Sequence, residues 1–182
     1  MKPPAPSRKI VERGHPGIGE LDKQTRALLA LQPIPQTVYD AQLAYNLLPS
    51  YGSEAPAKLE EVEARIDRHL VKLLTGSGIP QPSLRLVQAP VFHGYSFSLW
   101  VEFAEVQDPG KIATVLRAAK VDVRDGDTAP ASNVGTAQQS GLTVGSIRQD
   151  RNHPKAVWLW MVCDNLRLLG ENALAVAREA LA

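Results

Sequence analysis

The spacing of apolar residues changes partway along this chain, and that change limits the folds open to it. From Tyr95 the apolar side chains fall at every second position: Phe97, Leu99, Val101 and Phe103 on one side, Ser96 and Ser98 on the other. Successive side chains of a strand point to opposite faces, so the stretch predicts a strand with one buried face. "SLRLVQAPV", "VDVRD", "LTVGSIRQD" and "AVWLWMVCD" alternate in the same way and are rich in Val, Ile and aromatics, which predicts further strands.

Earlier in the chain the spacing is helical. From near Gly17, "IGELDKQTRALLAL" puts Ile18, Leu21, Thr25, Leu28 and Leu29 on one stripe, and "QPIPQ" ends it because proline cannot continue the ladder. "PAKLEEVEARIDRHLVKLLTGSG" repeats the pattern with Leu59, Val62, Ile66, Leu70 and Leu73, with Gly76 as the stop. Between the two, "AQLAYNLLPSYG" reads as strand or loop. "DPGKIATVLRAAK" predicts a short helix with Pro109 near its start, and "DNLRLLGENALAVAREALA" a closing helix. "DGDTAPASNVGTAQQSG" reads as a long polar loop. Residues 1–10, which hold three prolines, read as a flexible lead, and residues 11–182 as one domain. Together these elements define an α+β fold: a mixed, mostly antiparallel sheet with helices on one face.

Composition narrows the function. Lys plus Arg number 20 against 19 acidic residues, and no basic patch is interleaved with aromatics, so nucleic acid is not the expected partner. No apolar run reaches membrane-spanning length and no secretory signal pattern is present, so the expected location is the cytoplasm. Cys163 is the only cysteine, and the four histidines lack helical i, i+4 pairing, so neither a disulfide nor a metal centre is expected.

Few residues carry chemistry by themselves. "GHPGIG" resembles a phosphate loop in its glycines, but no strand precedes it. Cys163 ends an apolar run and reads as an inert core thiol. His93 and Tyr95, two apart at the mouth of a strand, would point to one side as candidates for proton transfer. The alternative reading makes them a loop histidine and a half-buried aromatic. The charged runs "EEVEARIDRH" and "IRQDRNH" read as solvated faces.

"GIGELDKQTRALL", "AYNLLPSYG", "APVFHGYSFSLWVEF", "VGSIRQD" and "LWMVCDNLRLLGENALAVAREAL" occur in an order and spacing that resemble the C-terminal dimerisation domain of the aspartate-semialdehyde dehydrogenase family, from about Val11 to Leu181. The resemblance implies an α+β unit, like the C-terminal domains of semialdehyde and glyceraldehyde-3-phosphate dehydrogenases, whose mixed sheet packs against a twin subunit. It also implies a chemistry shared with another domain: a cysteine thiolate attacks an acyl phosphate and NADPH reduces the thioester to an aldehyde. The nucleotide-binding half and that cysteine precede the matched region in the family.

Position by position, the resemblance implies a degenerate site. An arginine that grips substrate carboxylate becomes Gln88, two residues before the retained Pro90, and the histidine base becomes Tyr95, with His93 two positions early. An ordinary phenol, with a pKa near 10, is a poor base at neutral pH. Arg8 stands where active members have a glutamine. Glu61, Glu63 and Arg65 are the counterparts, in ambiguous register, of a substrate-binding glutamate and lysine. Asp164, Asn165, Leu166 and Arg167 keep the turn that approaches the nicotinamide, so Asn165 is the cofactor-binding candidate if a nucleotide domain is supplied. Leu168 and Leu169 replace Lys-Gly there, as buried packing would favour.

The resulting expectation is a homodimeric scaffold without dehydrogenase activity of its own. Trp100, Trp158 and Trp160 are either core residues or the aromatic patch of an obligate interface. The alternatives are the substrate-binding half of a split NADP-dependent enzyme, completed by a separate nucleotide-binding domain, and a carboxylate-binding regulatory module.

Overall fold

The computed structural model describes residues 14–126 and 128–181. The lead at 1–10, and with it Arg8, lies outside the described residues. The chain divides after Phe92 into two compact units.

The first unit contains helices α1 (Gly14–Leu29) and α2 (Leu59–Leu74). The buried face of α1 overlaps the apolar stripe only in part. It consists of Gly17, Glu20, Leu21 and Gln24, with Leu28 partly buried against the core, while Leu29 is 74% exposed. The reason lies in the loop that follows, whose backbone polar groups need partners. The Gln24 carboxamide supplies four bonds: Nε2 donates to Pro35 O (2.7 Å) and Ala41 O (2.9 Å), and Oε1 accepts from Leu43 N (2.7 Å) and Ala44 N (3.0 Å). One turn earlier, the Glu20 carboxylate accepts from the amides of Thr37, Val38 and Tyr39 and from the Thr37 hydroxyl. The loop, thus fixed, packs Tyr39, Leu43 and Ala44 onto Leu21 as the core of this unit. On α2 the stripe is only partly covered, with Leu59 buried and Leu73 exposed.

"SLRLVQAPV" does not form a strand. Only Gln88 pairs, in an isolated antiparallel bridge to Leu48 with both main-chain bonds at 2.9 Å. Pro80, Pro82 and Pro90 around it lack the N–H a ladder needs. "AQLAYNLLPSYG" is accordingly loop apart from that bridge.

The second unit runs β1 (Tyr95–Glu102), α3 (Pro109–Ala118), β2 (Asp122–Arg124), α4 (Asn133–Thr136), β3 (Thr143–Gln149), β4 (Ala156–Cys163) and α5 (Asn165–Ala180). The sheet order is β1-β4-β3-β2; β1/β4 and β3/β4 are antiparallel and β2/β3 parallel, so the sheet is mixed and mostly antiparallel, as expected. α3 packs on β2 and β3, and α4 on β4. Asp108 caps α3 ahead of Pro109, and Asp164 caps α5. The polar loop contains one element the sequence did not signal, the single turn α4, capped by Ser132. α5 buries none of its residues: Leu166, Leu169, Leu174 and Val176 are exposed, and so Leu169 does not have the buried setting expected of it.

Candidate functional site

β1 begins at Tyr95, after a bend at Phe92 and His93. Gly94 between them has φ +84, so the alternation cannot be carried back through it to His93, and the argument that placed His93 and Tyr95 on one side loses its premise. Two asparagines hold the corner. Asn165, the first residue of α5, accepts the Gly94 amide on Oδ1 (3.2 Å). Asn133, the first residue of α4, donates to His93 O (3.1 Å) and accepts from the Ser96 hydroxyl (2.8 Å). His93 is exposed, and the Tyr95 ring, 36% exposed, meets Phe97 edge-on at 6.2 Å.

Below the corner lies Cys163, paired with Tyr95 in the ladder and fully buried. Burial, with a smaller contribution from the Asp164 carboxylate, raises the pKa of its thiol above the ordinary range, which is the wrong direction for a nucleophile. Asp164 is itself held below the usual carboxylate range by the Arg167 amide first and then the Gln138 amide, with electrostatic interaction with His93 a smaller cause. Arg167 Nε bonds to Glu171 Oε1 (3.1 Å) and Ser140 Oγ (3.2 Å). The "DNLR" turn therefore uses its polar groups on its own surroundings.

In the first unit, Gln88 Oε1 accepts from the Tyr51 hydroxyl (2.8 Å) and its Nε2 donates to Ala89 O (3.1 Å). On α2, Glu63 accepts the Leu86 amide, Glu61 is exposed, and Arg65 keeps one buried nitrogen, Nη2, without a hydrogen-bond partner among the described residues. No group of three or more His, Cys, Asp or Glu suited to a metal occurs among the described residues.

The tryptophans are neither core nor fully exposed: Trp100 and Trp158 are each 42% exposed and Trp160 36%. Trp100 faces Trp158 across β1/β4, and both indoles donate to one oxygen of Asp150, at 3.1 and 2.7 Å. The other oxygen accepts the Asn152 and His153 amides of the β3–β4 turn. This anchor was not signalled by "IRQDRNH", because its donors come from two strands and a turn.

These bonds, the Asn152 amide foremost, lower the Asp150 pKa to about 2. A carboxylate depressed on folding contributes its stabilisation above its unfolded pKa and loses it as pH falls through the folded value. Tryptophan emission should therefore step between about pH 4 and 2. Asp150→Asn should lack that step, and an identical step in the variant would refute the assignment.

The second unit is an α+β arrangement, a mixed four-stranded sheet with helices packed on it. The family model for the semialdehyde dehydrogenase dimerisation domain matches residues 13–168, and the chain belongs to that family. It is 35% identical over 155 residues to a USG-1 protein homolog of Pseudomonas aeruginosa, covering 85% of this chain and 46% of that protein. It is 28% identical over 172 residues to an aspartate-semialdehyde dehydrogenase of Rickettsia bellii, covering 92% and 50%. Among solved structures, a probable aspartate-semialdehyde dehydrogenase from P. aeruginosa superposes with a TM-score of 0.72 at 33% identity, over 84% of this chain and 46% of that one. Aspartate semialdehyde dehydrogenase II from Vibrio cholerae shares the fold, with a TM-score of 0.76 at 24% identity over 90% and 49%. The chain spans about half the length of the relatives it matches. No helix among the described residues is long and apolar enough to cross a membrane.

Proposed function

We propose that this chain is a self-associating scaffold domain, a homodimer without dehydrogenase catalysis of its own. The observation that carries the proposal is how the divergent positions are used. Gln88, in place of the family's arginine, is neutral and bonded to Tyr51 and Ala89, so it offers no charge to a substrate carboxylate. Tyr95 replaces the histidine base, and the only thiol is buried with a raised pKa. Asn165, whose Oδ1 holds the corner, has a structural use independent of a nicotinamide. Trp100, Trp158 and Trp160 supply the aromatic surface expected beside a subunit contact.

The purified chain, given aspartate semialdehyde, phosphate and NADP, should show no phosphate-dependent NADP reduction, and Tyr95→Phe should change nothing measurable. Turnover that Tyr95→Phe abolishes would overturn the proposal. A second reading has α5 in its favour: its exposed Leu166, Leu169, Leu174 and Val176 suit a covering partner, such as a separate nucleotide-binding domain. Activity that appears only when such a domain is added would establish that reading instead.

A further inference from the structure

We infer that the β3–β4 turn forms a binding site for a small organic phosphate that carries a flat ring, a nucleoside monophosphate, held by Arg148, Arg151 and Trp158. The inference goes beyond the scaffold role proposed above and does not depend on it. It starts from an irregularity in the ladder. Gly145 pairs with Trp160 but Arg148 pairs with Trp158, so between these pairs β3 has two residues where β4 has one. In an unbroken register Arg148 would oppose Val157, which is fully buried. The extra residue turns the rest of β3 over, and Arg148 thereby stands on the same face as the half-exposed Trp158. Ser146, inside this bulge, has φ +52, a left-handed conformation that is unfavourable for an L-residue and that marks places where a chain is bent to re-aim a side chain.

The turn leaves its cations without counter-charges. The one carboxylate lining the depression there, of about 330 Å³, is Asp150. Its accepting positions are taken by the Trp100 and Trp158 indoles and by the Asn152 and His153 amides, so it pairs with neither arginine. Among the described residues neither the Arg148 nor the Arg151 guanidinium has a hydrogen-bond or ion-pair partner. Both line the depression together with Trp158 and the equally unpartnered Asn152 carboxamide. A guanidinium matches phosphate oxygens with two parallel bonds, and an indole gives a flat ring a surface to stack on. The volume lies at the lower end of small-ligand sites, about 300–1,000 Å³, which suits a single nucleotide. A free nucleotide fits better than a nucleic acid strand, because the chain as a whole, at a net charge of +1, lacks the cationic excess that draws in a polyanion.

The test is calorimetric titration of the full chain at low salt with AMP, adenosine and inorganic phosphate, with tryptophan emission recorded in parallel. AMP should bind saturably and quench the emission. Adenosine, which lacks the anion, and inorganic phosphate, which lacks the ring, should each bind about tenfold more weakly or worse. Arg148→Ala and Arg151→Ala should each weaken AMP binding by about tenfold or more at an unchanged melting temperature. Lys111→Ala, which removes an exposed cation of α3, should leave it unaltered. Arg151 lies in the turn, outside both strands, so its variant decides the matter if Arg148→Ala does not fold. No AMP binding at millimolar concentration, binding that survives both arginine substitutions, or inorganic phosphate that binds as tightly as AMP would each overturn the site. A terminally phosphorylated single-stranded oligonucleotide that binds more tightly than AMP would overturn the free nucleotide as its ligand. None of these readouts is a turnover or a mass in solution, so failure here leaves the scaffold reading standing.

Discussion

Replacing Gln24 by leucine should unfold or loosen the first unit, at a cost of about 3 kcal/mol or more. The two side chains are close in size, so cavity formation contributes little and hydrogen bonding decides the outcome. Gln24 is fully buried and serves two donors and two acceptors of the 35–44 loop. Leucine serves none of them, and the amides of the buried Leu43 and Ala44 would be left without a partner. Each buried polar group stranded in this way costs about 1–3 kcal/mol. Tyr39, Leu43 and Ala44 would lose their fixed positions against Leu21, so the core cluster should fail together with the loop. Hydrogen exchange at the Leu43 and Ala44 amides is the direct measurement: fast exchange in Gln24→Leu is expected, and unchanged protection would show that the clamp is dispensable. Because all three tryptophans lie in the second unit, their emission monitors that unit separately.

The same residue shows where sequence reasoning stops. Periodicity identified α1 and, through Leu21 and Leu28, part of its buried face, but missed Glu20 and Gln24, because a glutamate and a glutamine score as surface residues in any pattern of polarity. Their partners are backbone groups 11 to 20 residues away, which no local window contains. Elements whose causes are local were legible. Asp108 and Pro109 mark the start of α3, Asp164 that of α5, and the alternation through β1 and β4 reflects real strands with their predicted class of sheet. "SLRLVQAPV" failed because alternation records which side chains want burial and says nothing of whether a neighbour offers a ladder. The corner was legible in part. Its place came from family resemblance, but Asn133 and Asn165 reach it from 40 and 71 residues away, with no spacing signal to reveal them.

Gly94→Ala should be the most damaging single change in the second unit. The left-handed conformation at φ +84 costs an L-residue about 1–2 kcal/mol by itself. An added Cβ would also stand 2.8 Å from Cys163 O and 3.0 Å from Asn133 Nδ2. Neither neighbour yields easily: the carbonyl belongs to the end of β4, and the carboxamide is bonded on both sides, to His93 O and the Ser96 hydroxyl. Relief therefore requires the corner to move away from β4 and α4, which would break the Gly94–Asn165 bond as well. A loss of about 2–4 kcal/mol follows, and for a unit of this size about 4–8 °C of melting temperature per kcal/mol. Thermal unfolding followed by tryptophan emission should show a drop of about 8 °C or more. Asn165→Ala, which removes the 3.2 Å bond to Gly94 and leaves the Gly94 backbone free of any added Cβ, should lower the transition by a few degrees, about 1 kcal/mol. If Gly94→Ala melts like the unaltered chain, the corner is not a rigid junction.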